Sequence, residues 1–315
     1  MIAAIDGQLS KRINSLRFLL IVFVVFIHSG ITEEGLAGRN ITVEIPIYVA
    51  KIQIIVSDII SRVAVPLFFL ISGFLLYAKE PKFSTVLKKK SRTLLLPLLL
   101  WNLLFVLVYF LMQNLSFTKA FFNSSAEDLI HNYSLLDWID VFVGKFTARR
   151  EYNFPFDYPL WFIRDLYILV ILFIGIKKAI DKFPFGTFIV FFILWITNIT
   201  IYIISPEALF FFSLGYYIVK YSLKVNKIDS IKIYELSIIY ITTILIELFF
   251  NEYVPIIHKI NIIIGCMFFL KISLYFVKNV KLYAALVWLE KYEFIVYAIH
   301  AFILPQLLKL SIKLF

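Results

Sequence analysis

Residues 13–31 read INSLRFLLIVFVVFIHSGI, an apolar run close to the roughly 20 residues that a helix needs to cross a bilayer. Similar runs recur along the whole chain of 315 residues, which is 61% hydrophobic with a mean hydropathy of +0.89. Only 17% of the residues are charged. These values exclude an ordinary soluble enzyme and predict a polytopic integral membrane protein.

The length of the apolar runs predicts an all-α fold, because only helices or a closed barrel satisfy the backbone in lipid and barrel strands are much shorter. We predict about nine to ten transmembrane helices around a central polar cavity, with residues 1–315 forming a single transmembrane domain. A tenth helix could lie within the second segment or between Leu115 and Phe146. The nine clear segments are approximately 13–31, 46–78, 93–112, 159–178, 187–204, 208–221, 234–250, 256–277 and 282–310.

The basic residues predict the orientation of the chain. The stretch KEPKFSTVLKKKSR, residues 79–92, holds six basic residues and one acidic residue, which is typical of a cytoplasmic loop. Lys11 and Arg12 precede the first segment, so we expect a cytoplasmic N-terminus and a location in the cytoplasmic (plasma) membrane. Parity then places the long aromatic and acidic stretch 113–158 on the outer side, where it could bind sugars or form only a solvated loop.

Two polar residues interrupt the first segment. Arg17 and His28 are 11 residues apart, which leaves them about 20° apart around the helix axis and about 16 Å apart along it. Both side chains are therefore expected on one helix face. An arginine in a membrane helix costs about 2.5 to 3.5 kcal/mol on insertion scales. The alternatives are a functional pair in a shared wet pocket, or a snorkelling arginine and a structural histidine.

Six stretches occur in the order found in one family. They are RINSLRFLLIVFVVFIHS (12–29), VAVPLFFLISGFLLY (63–77), RTLLLPLLLWN (92–102), PLWFIRDLYIL (159–169), FFFSLGYYI (210–218) and YEFIVYAIHAF (292–302). Together they resemble the acyltransferase-3 family of integral membrane acyltransferases, O-acetyltransferase type. Two positions depart from the family pattern: Lys89 and Arg92 stand where paired arginines are usual, and Glu293 stands where a serine is common.

The resemblance implies transfer of an acyl group, usually acetyl, from a cytoplasmic acyl-coenzyme A to a hydroxyl of a cell-surface or lipid-linked glycan. Acyl-coenzyme A would be a donor substrate, and no permanently bound cofactor is expected. The other expected partners are membrane lipid and a possible separate relay protein, with no nucleic acid. The rival interpretation is a transporter or exporter of a small metabolite or glycan that has the same architecture and transfers no acyl group.

His28 is the predicted catalytic base, because a neutral imidazole can take the proton of an acceptor. Arg17 is its predicted catalytic partner, which would stabilise the negative thioester oxygen or hold the coenzyme. The transfer could also pass through an acyl-histidine, and the sequence leaves both routes open.

Arg92 and Lys89 are the predicted contacts to coenzyme phosphates, with Arg92 favoured because its guanidinium binds phosphate in a bidentate manner. The alternative is that these charges only orient the protein in the membrane. Ser72 is a further candidate for coenzyme binding, although the Ser72-Gly73 pair equally fits close helix packing, which we favour.

The predicted substrate-binding residues are Trp161, Arg164, Asp165 and His300. Arg164 and Asp165 could orient an acceptor hydroxyl or anchor the helix end at the membrane interface, and His300 could instead be structural. Glu247 and Lys271 lie inside apolar helical segments and are either site residues or snorkelling side chains. No Cys-x-x-Cys, His-Glu-x-x-His or Walker-type motif occurs, so no metal site is predicted.

Overall fold

The computed structural model describes residues 7–29, 45–79, 82–115, 130–144, 154–223, 226–250 and 256–300. Within these ranges all regular structure is helical, apart from one isolated bridge between Ile201 and Ile204. The prediction of an all-α fold is therefore confirmed.

Ten helices account for most of the described chain. Helices α1 to α10 cover Gly7–His28, Ile47–Tyr77, Phe83–Asn114, Leu135–Val143, Trp161–Lys182, Pro184–Thr197, Pro206–Lys220, Ile233–Phe250, Ile256–Lys278 and Val280–Glu290. A single helical turn covers Asn226–Asp229, and residues 293–300 are helical again.

A helix lies at each of the nine predicted segments, but the number of crossings stays a prediction. Five helices in the described ranges are long and apolar enough to span a membrane: α2, α3, α5 with its preceding turn, α8 and α9. Helix α2 is one continuous helix of 31 residues, so it is not divided into two membrane-spanning helices. Helix α4 has nine residues, which is too short to cross.

Two of the long helices change their winding just before a proline. In α2, a π-helical stretch over Ile54–Ile60 and a 3-10 turn over Ser61–Val63 precede Pro66. In α3, a π-helical turn over Ser91–Leu95 precedes Pro97. Proline lacks an N–H and its ring collides with the carbonyl four residues earlier, so the preceding turn leaves regular α geometry.

The described residues form two compact units. The first contains α1, α2, residues 210–220 of α7, and α8 to α10; the second contains α3 to α6 and the start of α7. In the first unit, α1 packs against α2, α9 and α10, and its apolar residues Leu16 and Leu20 are completely buried. The single predicted domain stays a prediction.

In the second unit, α3 packs little of its surface. Its exposed leucines recur at helical spacing, as expected of a face that contacts lipid. They are Leu100, Leu103, Leu104, Leu107 and Leu111. The C-terminal half of α3 packs on the turn Ile130–Asn132 and on α4 through Val106, Ile130 and Val141, so part of the stretch 113–158 is a packed apolar cluster and not a solvated loop.

Helices α2 and α7 approach each other at glycines. A methyl group added to Gly73 would overlap the carbonyl oxygen of Phe212, and one added to Gly215 would overlap the backbone of Phe74. Close approach of membrane helices requires such small residues. The packing role favoured for Ser72-Gly73 therefore agrees with the structure at Gly73, while Ser72 itself is half-buried.

We expect Gly73→Ala to destabilise the folded protein, because the obstacle is a backbone atom that cannot rotate away. The measurement is the thermal unfolding temperature in detergent. Gly175→Ala is the matched control, since Gly175 lies inside α5 with open space around it and alanine favours a helix by about 1 kcal/mol. Equal stability of the two variants would contradict the close α2–α7 packing.

Candidate active site

Arg17 lies on α1 beside two carboxylates. Its Nη1 is 2.8 Å from Glu290 Oε1 and 4.0 Å from Glu293 Oε1, and its side chain is 37% exposed. Glu290 ends α10, and Glu293 begins the helical residues 293–300. Arg17 is thus held in an ion pair at the first unit's surface and keeps part of its guanidinium accessible.

His28 is the last residue of α1 and lies beside His300. The two ring centroids are 5.2 Å apart. His300 is buried, and its Nδ1 donates to the carbonyl of Tyr297 at 2.6 Å. Because a carbonyl only accepts, Nε2 of a neutral His300 carries the lone pair, and this atom has no hydrogen-bond partner among the described residues.

Arg17 and His28 therefore contact one and the same segment, residues 290–300. Both side chains lie on the same side of α1, as their spacing predicts. Glu293, which departs from the family pattern, also lies in this group. Its Oε1 approaches Arg17, while its Oε2 is buried without a partner in the described chain.

The predicted central polar cavity stays a prediction. One cavity in the described part of the first unit has a volume of about 300 Å³ and is almost entirely apolar. Its lining includes Leu9, Ile13 and Phe74 but neither Arg17 nor His28. The catalytic roles of Arg17 and His28 stay predictions.

Arg62 is a neighbour of His28 that the sequence analysis did not select. It lies in the 3-10 turn before Pro66 and pairs with Asp58 at 3.2 Å. Its positive charge acts on the imidazole of His28. The signal available in the sequence was the arginine four residues before a proline, where the helix must loosen.

Arg92 and Lys89 lie together in the second unit. They line an open hollow of about 440 Å³ on the first turns of α3, which we call the basic hollow. Its lining residues are Ser84, Thr85, Lys88, Lys89, Arg92 and Thr93. Arg92 and Thr93 belong to the π-helical turn before Pro97. Ser72 belongs to α2 in the first unit, and its role in coenzyme binding stays a prediction.

The basic hollow suits an anion, because it offers three cationic side chains together with hydroxyl groups. The hydroxyl residues Ser84 and Thr85 were missed in the sequence, although both belong to the quoted basic stretch. They lie one turn before the lysines, and this spacing of three to four residues is the signal for a shared helix face.

Arg164 and Asp165 form a buried clamp in the second unit. Two guanidinium nitrogens of Arg164 donate to Asp165 Oδ1 at 2.8 and 2.9 Å, and further bonds go to the carbonyls of Val143 and Ile203 at 2.6 and 2.9 Å. Asp165 Oδ2 accepts from the backbone of Ser205 at 2.8 Å. These contacts fasten two chain segments to the start of α5.

Burial of the clamp favours a structural role over contact with an acceptor. The Arg164 and Asp165 side chains are 6% and 0% exposed. Trp161 begins α5, is half-buried and lies near Phe154 with ring centroids 6.5 Å apart. Acceptor binding by these three residues and by His300 stays a prediction.

Glu247 and Lys271 are buried and paired, so neither side chain snorkels. Lys271 Nζ donates to the backbone carbonyl of Asp229, whose carboxylate forms a bidentate pair with Arg12 at 2.7 and 3.0 Å. Glu247 Oε1 lies 2.6 Å from Nδ1 of His258, a histidine that the sequence analysis did not select. Glu247 and His258 lie at similar distances before and after the α8–α9 connection. This spacing could have indicated from the sequence that the two side chains meet.

Comparison with known proteins decides the family. Residues 10–314 match the model of the acyltransferase-3 family, described as an acyltransferase domain. The chain belongs to the acyltransferase-3 family. This confirms the resemblance carried by the six stretches, and the apolar helices agree with an integral membrane protein.

One curated relative is the succinoglycan biosynthesis protein ExoH of Rhizobium meliloti (strain 1021). The two sequences are 24% identical over 230 residues, which cover 71% of this chain and 58% of ExoH. This acyltransferase-3 chain thus spans a little over half of the relative's length. No solved structure matches the chain.

Asp157 is a buried residue that precedes α5, and one of its carboxyl oxygens has no hydrogen-bond partner among the described residues. It is 2% exposed, and Oδ2 has no hydrogen-bond partner in the described ranges. Its backbone N–H donates to Asn102 Oδ1 at 2.9 Å, which fixes its position against α3. Burial raises the pKa of Asp157 from 3.8 to about 7.

We expect Asp157→Asn to change the pH dependence of stability. A raised pKa means that the folded state binds the proton more tightly than the unfolded state, so the free energy of unfolding falls as pH rises from about 4 to about 7. Relative to wild type, the variant should gain about 1 to 3 kcal/mol at pH 8 and little at pH 4. Thermal unfolding at both pH values measures this, and a gain independent of pH would contradict the assignment.

Proposed function

We propose that this protein is a membrane O-acyltransferase that moves an acyl group, most simply acetyl, from acyl-coenzyme A to a hydroxyl of a cell-surface or lipid-linked glycan. Family membership supports acyl transfer. The similarity to ExoH, a succinoglycan biosynthesis protein, supports a polysaccharide acceptor. The proposed location is the cytoplasmic membrane with the N-terminus in the cytoplasm, which follows from the basic stretch 79–92.

One observation carries the proposed chemistry: Arg17 and His28 lie on one side of α1 against the same segment. His28 is the group that takes the acceptor's proton or accepts the acyl group itself. Arg17 offers a partly accessible guanidinium to the thioester oxygen, on which negative charge develops. His300 supports the orientation of the His28 ring.

The basic hollow is the proposed site for the phosphates of coenzyme A. Lys89 and Arg92 line it, and the hydroxyl groups beside them can donate to phosphate oxygens. Arg92 lies one turn after Lys88 and Lys89, so its guanidinium shares their helix face, and it begins the π-helical turn that precedes Pro97 together with Ser91.

We expect His28→Ala to lower incorporation of labelled acetyl from acetyl-coenzyme A into membrane glycans by about 100-fold or more, the usual contribution of a general base. The measurement uses membranes with equal amounts of inserted protein. Wild-type protein that transports solute but labels no acceptor would overturn the proposed function in favour of a transporter.

Arg17→Ala should also reduce labelling by about 100-fold, the usual loss when one stabilising donor is removed. The control is the double variant Arg17→Ala with Glu290→Gln, which removes the carboxylate that the first substitution leaves unpaired. Recovery of labelling in the double variant would show that Arg17 serves only to neutralise Glu290.

Arg92→Gln should raise the KM for acetyl-coenzyme A by about 10- to 100-fold, which corresponds to the loss of a charge-assisted hydrogen bond of about 1.5 to 3 kcal/mol. The matched control is Lys177→Gln, which removes one basic charge from an exposed ion pair with Asp181 on α5. An equal KM change in both variants would mean that the charges of α3 act only on membrane orientation.

A further inference from the structure

A line of polar side chains runs through the interface between α8 and α9. On each helix the polar residues are three or four positions apart, so each set occupies one helix face, and the two faces pack directly on each other. The residues are Tyr240, Thr243 and Glu247 on α8 and His258 and Asn261 on α9.

The centre of this line is the buried carboxylate of Glu247, which is 5% exposed. Oε1 contacts Nδ1 of His258 at 2.6 Å, and Oε2 accepts from Asn261 Nδ2 at 2.6 Å. Thr243 Oγ1 in turn donates to Asn261 Oδ1 at 3.0 Å. Both carboxylate oxygens therefore have a fixed partner.

This geometry orients the imidazole of His258. An ionised carboxylate only accepts, so Nδ1 of His258 carries a hydrogen and Nε2 of the neutral ring carries the lone pair. The His258 side chain is 30% exposed, in contrast to Glu247. A buried carboxylate that holds a partly accessible imidazole in one tautomer is the arrangement that prepares histidine for general-base catalysis.

His258 lies toward the same end of the first unit as His28. Arg12 and Lys271 both bind Asp229 and mark the opposite end. His28 is 16 residues from Arg12 along α1, or about 24 Å at 1.5 Å per residue. His258 is 13 residues from Lys271 along α9, or about 20 Å. Because α1 and α9 pack on each other, the two histidines occupy one end of the unit.

We propose that His28 carries the acyl group and that His258 is a second catalytic base, which takes the proton of the acceptor hydroxyl, with Glu247 and Asn261 as positioning residues. This inference rests on the proposed acyl transfer and names a further residue for it. The hydroxyl oxygen forms its bond to the acyl carbon as its proton passes to Nε2 of His258. The bond from the acyl carbon to its carrier breaks, and the carrier keeps the electron pair and receives the proton from His258.

A second base is required when His28 is the acyl carrier. In that route, the imidazole of His28 is the leaving group of the second step, so the acceptor's proton must first go to another group. His258 satisfies this requirement because its orientation depends on α8 and α9 and not on the His28–His300 contact. The two steps then use separate imidazoles.

The test measures both half-reactions in membranes that contain the full chain. Coenzyme A release from acetyl-coenzyme A, without added glycan, reports the donor step, and label in the glycan reports the acceptor step. We expect His258→Gln to lower glycan labelling by about 100-fold and to leave coenzyme A release near the wild-type rate. Glu247→Gln should give a smaller loss in the same step, while the matched carboxylate control Asp181→Asn should label normally.

Chemical rescue separates catalysis from a structural role. Free imidazole should restore part of the glycan labelling of His258→Ala, since the lost side chain is partly accessible, whereas a folding defect would not respond. Glycan labelling by His258→Gln at the wild-type rate would overturn the inference, as would an equal loss in both half-reactions without rescue. If wild-type protein neither releases coenzyme A nor labels glycan, the proposed function itself fails.

Discussion

The bilayer core contains no water, so a polar side chain placed there must find its partner inside the protein. This constraint explains how the first unit is built. Arg12 binds Asp229, Arg17 binds Glu290, and Glu247 binds His258. Each pair joins elements that also pack through apolar side chains, and apolar packing has little preference for one register over another in lipid. The ion pairs therefore determine which helices pack together and in which register along their axes.

The positions of the helices could be predicted from the sequence, because a long apolar run is a local property and each run requires a helix in lipid. The partners of the polar residues could not be predicted. Arg12 and Asp229 are 217 positions apart, and Arg17 and Glu290 are 273 apart. The spacing of Arg17 and His28 predicted a shared side, but only the folded chain reveals that residues 290–300 lie against it.

The prolines explain the irregular turns of α2 and α3, which could have been predicted from the sequence. Pro66 and Pro97 each loosen the preceding turn, and those turns carry Arg62 and Arg92. A proline inside an apolar run normally suggests only a kink. Here the turns also carry a guanidinium, whose positive charge acts on His28 in one unit and which lines the basic hollow in the other. The sequence signal shared by both groups is an arginine four or five residues before a proline in an apolar run.

Satisfied and unsatisfied polar groups call for different interpretations. Arg12 and Arg164 direct their guanidinium hydrogens to carboxylates and carbonyls of the protein, so they stabilise the fold and offer little to a substrate. His300 Nε2 and Glu293 Oε2 are buried without a partner in the described ranges, a condition that costs about 1 to 3 kcal/mol for each group. Selection for stability alone would remove such groups. Their position beside His28 and Arg17 therefore favours this side of α1, and not the Arg164–Asp165 clamp, as the place where the protein meets its substrates.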